Sequence, residues 1–219
     1  MSILVLGQNG QVGQALAKFL QGKNSIFWSR GDLDFCHSHN FENKIKRLSP
    51  QIIINAVGYT AVDQAEQQPD LADQVNHRAV AKLARLAKIM QTRFIHFSTD
   101  YVFDGRKSGS YHEEDPVNPL SVYGAPKLNG EKAIQDSGCH YNIFRTSWIV
   151  SPNGQNFVNK VLNKATREKK FAVIKDQIGA PTSARFIAKV VDEVINTDLV
   201  DGIYHLTSKG HISWHGLAA

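Results

Sequence analysis

Ile3-Leu4-Val5-Leu6-Gly7-Gln8-Asn9-Gly10-Gln11-Val12-Gly13 opens the chain, and its reading decides the fold. Four apolar residues in an unbroken run suit a strand covered on both faces, as strands of parallel sheets are. Glycines follow at once, and a helical pattern begins within the same stretch. Glycine is needed where the backbone turns tightly and comes close to a pyrophosphate, whose charge then rests at the N-terminus of the next helix. A glycine triplet alone also suits a plain tight turn. Its place between a first strand and a first helix, with a second strand following, points to dinucleotide binding.

Further apolar runs continue the theme: Ile26-Phe27-Trp28, Ile52-Ile53-Ile54, Phe94-Ile95-His96-Phe97, Asn142-Ile143-Phe144 and Ala172-Val173-Ile174. Each reads as a strand. Between them lie segments of helical period, such as residues 71–90, where Val75, Ala79, Leu83, Leu86 and Met90 recur on one face. Strand and helix in alternation predict an α/β fold, a Rossmann-like doubly wound parallel sheet with right-handed crossovers. Residues 104–122, with Gly105, Gly109, Pro116 and Pro119, form one long loop, a length that usually carries function. We divide the chain into residues 1–145, a nucleotide-binding domain with the catalytic residues, and residues 146–219, a mixed segment contributing to a small substrate lobe and to the sheet edge. Residues 213–219 read as the opening turn of a helix that does not complete, so the chain is expected to be truncated and the lobe incomplete.

With 219 residues, 42% hydrophobic, the chain can bury one sizeable core. Its net charge of +5, from 25 basic and 20 acidic side chains, is too mild and dispersed for a nucleic-acid surface. A basic balance suits an anionic small molecule, although a merely basic surface explains the charge equally well. The two cysteines, Cys36 and Cys139, make neither a disulfide framework nor a zinc pattern, and both are expected to be buried, reduced thiols. No run approaches the ~18 apolar residues of a membrane span. A cytoplasmic protein is expected, a monomer or homodimer, with neither nucleic acid nor membrane as partner.

Where an acidic residue after the second strand would read the ribose 2′-hydroxyl of NAD, this chain has Ser29-Arg30-Gly31. A guanidinium can pair with a 2′-phosphate, so NADPH is preferred, with NADH still possible, unless Arg30 is only a solvated loop charge. Tyr123-Gly124-Ala125-Pro126-Lys127 places a phenol and an amine four residues apart. On a helix these share a face, and the ammonium can sit near the phenol and lower its pKa. Proline is tolerated in a first turn, so Pro126 predicts a helix start near residues 122–124. Thr99 stands at the carboxyl end of the fourth strand, where open parallel sheets bind ligands. The alternative is that Thr99 caps a turn, Tyr123 is packed and Lys127 is surface charge.

Together Thr99, Tyr123 and Lys127 resemble the catalytic triad of short-chain reductases. The G-x-x-G-x-x-G spacing is similar to the extended branch of that family. Gly10-Gln11-Val12-Gly13, Asn55-Ala56 with Thr60-Ala61-Val62-Asp63, Ser98-Thr99-Asp100-Tyr101-Val102-Phe103, Phe144-Arg145-Thr146-Ser147-Trp148 and Asp176-Gln177-Ile178-Gly179-Ala180-Pro181-Thr182 resemble, in order, the motifs of the dTDP-4-dehydrorhamnose reductases. The resemblance implies that Gly7, Gly10, Gln11, Val12, Gly13, Ser29, Arg30, Asp34 and Phe35 hold the cofactor, with Ala56, Val57, Gly58, Tyr59, Tyr123 and Lys127. It also implies that Thr60, Val62, Asp100, Tyr101, Trp148 and Asn156 border a sugar nucleotide. Taken as sequence, an Asp32/Asp34 pair also suits a turn or cap, and Trp148 also suits a core.

Three departures stand out. Tyr59 occupies a position where many relatives have histidine. Ala15 occupies the place of a glutamate that binds magnesium at a dimer interface in some relatives, so no metal is expected. The chain also stops before the family's last helices. The resemblance implies NADPH-dependent reduction of the C4 keto group of dTDP-4-dehydro-L-rhamnose, with Tyr123 as proton donor, Lys127 on the ribose and Thr99 on the carbonyl oxygen. The alternatives are a sugar-nucleotide epimerase of the same fold, which would retain NAD, and a non-catalytic regulatory subunit.

Overall fold

The computed structural model describes residues 1–36 and 41–219. Five of the apolar runs become strands: β1 (Ile3–Leu6), β2 (Ser25–Trp28), β3 (Ile52–Asn55), β4 (Arg93–Thr99) and β5 (Tyr141–Thr146). Three short strands come next, β6 (Ile149–Val150), β7 (Ile178–Gly179) and β8 (Thr182–Ser183), and then β9 (Gly202–His205) and β10 (Ile212–Ser213). The main sheet has the order β2-β1-β3-β4-β5-β9, every pair parallel.

Helices cover both faces. α1 (Gln11–Phe19), α2 (Phe41–Leu48), α3 (Val62–Ala65), α4 (Pro69–Asp73) and α5 (Ala79–Met90) precede β4, and α6 (Gly124–Ser137) joins β4 to β5. Beyond β5 come α7 (Phe157–Ala165), α8 (Ala184–Val194) and α9 (Trp214–Ala218). Two cores result. Leu4, Leu6, Ile53 and Phe94 pack with Leu83 of α5 and Ile134 of α6, while Ile3, Val5, Ile54 and Ile95 pack with Leu16 of α1 and Ile187 of α8. Successive strand residues thus serve opposite faces, which is why the runs are continuous. Each such side chain contributes ~1.5–3 kcal/mol on burial. β2, at the sheet edge, leaves Ile26 partly exposed.

The chain differs from the expectations in four places. Ala172-Val173-Ile174 is not a strand; with Phe171 it lines an apolar groove opposite Phe157, Val161 and Trp214. The sixth place in the sheet goes to β9, which pairs from Asn142↔Gly202 to Arg145↔His205. Cys139 is buried, but Cys36 is only half-buried, its Sγ 3.6 Å from Arg30 Nη2. The helical pattern of residues 71–90 is interrupted by a π segment, Gln74–Arg78, between α4 and α5. There Asn76 turns its buried amide to accept from Tyr59 N at 2.9 Å and donate to Tyr59 O at 3.0 Å, pinning the loop after β3. Among the described residues no helix is long and apolar enough to cross a membrane.

Candidate active site

After β1 the chain runs into β2 on one side and, by way of α2, crosses to β3 on the other, so the carboxyl ends of β1 and β3 open into a crevice. Gly7 has φ +92°, and a Cβ there would stand 2.8 Å from the Ala56 backbone. A Cβ on Gly13 would lie 2.1 Å from Gly7 O, so α1 packs on its own entry loop only without one. Gly10 supplies no side-chain cap to α1. The helix therefore presents its first amides to the crevice, the arrangement that holds an anionic phosphate.

Two adjoining clefts lie along this edge, of about 310 Å³ and about 290 Å³, sharing Ala56, Val57 and Gly58. Gly7, Gly10, Arg30, Asp34, Phe35 and Tyr59 line the smaller. Gln11, Val12, Thr99, Tyr123 and Lys127 line the larger, and so do Thr60, Val62, Asp100, Tyr101, Trp148 and Asn156. Gly13 and Ser29 stand behind these walls, Ser29 donating from both N and Oγ to Asp32 Oδ2 at 2.8 Å. Asp32 is thereby a turn former. The exposed Arg30 side chain donates through Nε to Asp34 Oδ2 at 3.1 Å, so a carboxylate already faces the guanidinium. A hollow of about 490 Å³ lies between α1 and α8, where Ala15, Lys18 and Arg185 face it, and it shares Gln11 with the larger cleft.

Thr99 ends β4 and caps the single 3₁₀ turn Asp100–Val102, accepting from Tyr101 N at 3.3 Å and donating to Asp100 Oδ1 at 3.1 Å. It is a turn cap and a cleft residue at once. Tyr123 precedes α6, as Pro126 predicted, with its ring edge-on to Tyr101 at 5.5 Å. Burial drives the Tyr123 phenol well above its ordinary range, a hydrogen bond with Thr99 opposes this, and Asp100 and Tyr101 add to it. Lys127 does not turn toward the phenol. Its Nζ donates to Phe97 O at 2.5 Å and lies 3.3 Å from His96 Nε2, because an enclosed amine takes the nearest carbonyl. Burial pushes Lys127 down to about 8, with Glu131 opposing. The amine therefore does not lower the Tyr123 pKa in this arrangement. Asp100 is raised to about 6 by burial, against hydrogen bonds from Thr99 and nearby backbone.

The far wall is built around Trp148. This residue has φ +43° and stacks on Trp214 with centroids 3.3 Å apart, and Phe157 meets the other indole at 4.2 Å. A Cβ on Gly179 would come within 2.4 Å of the Trp148 ring, which explains a glycine in the segment 176–182. Asn156 caps α7 and donates to Gln11 Oε1 at 2.9 Å, and Ser151 Oγ donates to the same oxygen at 2.8 Å. Gln11 thereby ties the glycine loop to this wall. His96, Asn55 and Trp214 had no role of their own in the sequence reading, although Asn55 stands in a quoted motif and His96 in a strand run, since their contacts join positions far apart in the chain and no spacing rule reports them.

The family model of the RmlD substrate binding domain matches residues 1–219. The chain belongs to the dTDP-4-dehydrorhamnose reductase family. A dTDP-4-dehydrorhamnose reductase of Burkholderia thailandensis is 40% identical over 227 residues, covering 100% of this chain and 76% of that protein. The crystal structure of a dTDP-4-dehydrorhamnose reductase from Clostridium acetobutylicum superposes with a TM-score of 0.94 at 38% identity, over 100% of this chain and 78% of the other. A dTDP-4-dehydrorhamnose reductase from Bacillus anthracis in complex with NADP gives 0.94 at 31%, over 99% and 78%.

Proposed function

We propose that this chain is an NADPH-dependent oxidoreductase that reduces the C4 keto group of dTDP-4-dehydro-L-rhamnose to give dTDP-L-rhamnose. The observation that carries this reading is the meeting of Thr99, Tyr123 and Lys127 in one cleft that continues into the glycine-loop pocket. The residues suit a dinucleotide: a backbone cradle that side chains on Gly7 or Gly13 would fill, an uncapped α1, and Ser98 Oγ, buried in the larger cleft without a protein partner among the described residues. Gly7, Gly10 and the first amides of α1 would hold the pyrophosphate, and Arg30 with Asp34 and Phe35 the adenosine end. Bound NADPH supplies the hydride.

The protein's own residues handle the oxygen and its proton. Tyr123 donates its phenolic proton to the oxygen as charge develops, and Thr99 hydrogen-bonds the same atom. Lys127 leaves Phe97 O to hold the ribose, and as an ammonium it then favours the phenolate left behind. Tyr101, Trp148 and Asn156 shape the sugar-nucleotide side, and residues 146–219 contribute both to it and, through β9, to the sheet edge. We place the protein in the cytoplasm, as a monomer or homodimer.

The test is NADPH oxidation with a panel of 4-keto sugar nucleotides, using wild type and Tyr123→Phe. Turnover should be highest with the dTDP-linked sugar and should fall by ~10² or more in the variant, while NADPH affinity stays near wild type. Tightly retained NAD with no net oxidation would indicate an epimerase instead. Unchanged turnover in Tyr123→Phe would remove the triad.

A further inference from the structure

Lys127 rests against β4 rather than in the open cleft, and what holds it there is decided by a residue on the neighbouring strand. His96 is fully buried and Lys127 nearly so. Asn55, at the end of β3, accepts from Val57 N through Oδ1 at 3.1 Å. A backbone N–H can only donate, so this bond fixes which end of the amide faces which way. The Nδ2 end faces His96 Nδ1 at 3.1 Å. An amide NH₂ also only donates, so Nδ1 carries the lone pair and the single hydrogen of a neutral imidazole stands on Nε2. That hydrogen faces Lys127 Nζ, 3.3 Å away.

An ammonium in this position would set N–H against N–H. An uncharged amine satisfies both neighbours, accepting from His96 Nε2–H and donating to Phe97 O. His96 cannot escape by becoming an imidazolium, because Asn55 already donates to its other nitrogen. Burial, seconded by the nearby Lys127, also holds the ring well below its ordinary range.

We propose that His96, oriented by Asn55, is a positioning residue for the reductase: it favours the uncharged form of Lys127 against β4 in the free protein, so that at alkaline pH the amine takes up one proton when the dinucleotide draws it into the cleft. The inference rests on the reading of Lys127 as the ribose-holding residue. The step moves one proton from solvent to Nζ and involves no change of oxidation state. The titratable groups around the amine are His96 on β4, Tyr123 just before α6, Glu131 on α6, and Asp100 and Tyr101 beyond Thr99 in the same cleft. Glu131 favours the ammonium, but its two oxygens are engaged by Arg145 of β5 at 3.0 and 2.8 Å. The π segment and α5 meet α6 through the uncharged Asn76 and Val80 at Gly130.

Long-range ¹H–¹⁵N correlation on the full chain labelled with ¹⁵N-histidine reads the tautomer directly. The Nε2–H form is expected, and Nδ1–H in the free protein would overturn the proposal. Calorimetric titration with NADPH at pH 9, in two buffers of different ionisation enthalpy, then counts protons. Wild type should take up close to one, because Lys127 is uncharged above about pH 8. Asn55→Asp keeps the acceptor for Val57 N but demands a hydrogen on His96 Nδ1, leaving Nε2 bare to accept from a charged Lys127. Uptake should therefore fall by half or more. His96→Phe keeps the ring that stacks on Phe94 at 6.0 Å, deletes both nitrogens, and should move the pH at which NADPH affinity weakens upward by about one unit. No proton uptake in wild type, or the same uptake in all three proteins, would overturn the coupling. Lys127→Met separates the two readings: unchanged NADPH affinity and uptake there would remove Lys127 from the ribose, whatever the tautomer.

Discussion

Asp100 gives the larger cleft a group that titrates near 6, and the direction of its shift makes a prediction. Its carboxyl is raised from 3.8 to about 6 by burial, so the folded protein binds this proton more tightly than the unfolded chain does. Stability from this group is complete below about pH 4 and is lost as pH rises through 6. Asp100→Asn removes the buried charge, so it should stabilise the fold on the order of 1–3 kcal/mol at pH 8 and by less at pH 5. Urea denaturation at the two pH values checks this, and an equal gap at both would exclude Asp100 as the titrating group. Arg30 makes the second case at this scale. Its guanidinium is exposed and already paired with Asp34, so a 2′-phosphate joins an existing ion pair. Arg30→Ala should weaken NADPH by about tenfold and leave NADH nearly unchanged, as titration of both cofactors would reveal. Both residues stand out in the sequence by position, one after β2 and one after β4. The resting place of Lys127 does not, because it depends on a buried carbonyl and a histidine that four-residue spacing never mentions.

Two elements meet through a buried ion pair that the motifs leave unexplained. Arg145 on β5 and Glu131 on α6 are both almost wholly enclosed, and they join through two parallel hydrogen bonds. Arg145 also donates to Glu113 O at 3.2 Å, and His205 N donates to Glu113 Oε1 at 2.7 Å, so the pair fastens the long loop over β5 and β9. Removing one partner strands the other charge. Glu131→Gln should therefore cost ~3–5 kcal/mol, while the double change Glu131→Leu with Arg145→Met should recover most of that. Urea midpoints for the three proteins decide it, and a double variant no better than the single would mean that the loop contacts, rather than the charge, dominate. The loop itself was legible from its glycines and prolines. Its fastening was not, since the motif Phe144-Arg145-Thr146-Ser147-Trp148 names Arg145 without its partner Glu131 on α6. β9 was missed for a related reason: Gly202-Ile203-Tyr204-His205 is short and only half apolar, whereas Ala172-Val173-Ile174 has the composition of a strand but lines the groove beside Trp214 instead of joining a sheet.

At the scale of the molecule, the order of strands and helices up to β5 could be read from the sequence because each run buries alternate residues on opposite faces of one sheet. Beyond β5 only α8 keeps a clear period, burying Ala184, Ile187, Ala188, Val191 and Val194 on one face. Apart from α8 and β9, which join the core and the main sheet, residues 146–219 contain strands of two residues and short helices, tied together by contacts between distant side chains. The Trp148–Trp214 stack is one of these. It joins the strand end after β5 to α9, with Phe157 of α7 on the second ring and Trp214 Nε1 donating to Gln177 Oε1 at 3.2 Å. Trp148 and Trp214 both line the larger cleft, but neither lines the Arg30 cleft. Trp214→Ala should therefore separate the two ligands. The KM for the sugar nucleotide should rise by about tenfold, the scale of one aromatic pair, and NADPH affinity should change by less than about twofold. The near-ultraviolet dichroism of two stacked indoles should vanish in the same variant, which reports loss of the stack independently of activity. If the dichroic signal disappears and both ligands weaken equally, the stack supports the whole carboxyl edge rather than the sugar-nucleotide wall. If the signal persists, Trp148 has found another partner, and Gly179→Ala, whose added Cβ would collide with the Trp148 ring, becomes the variant that displaces the indole.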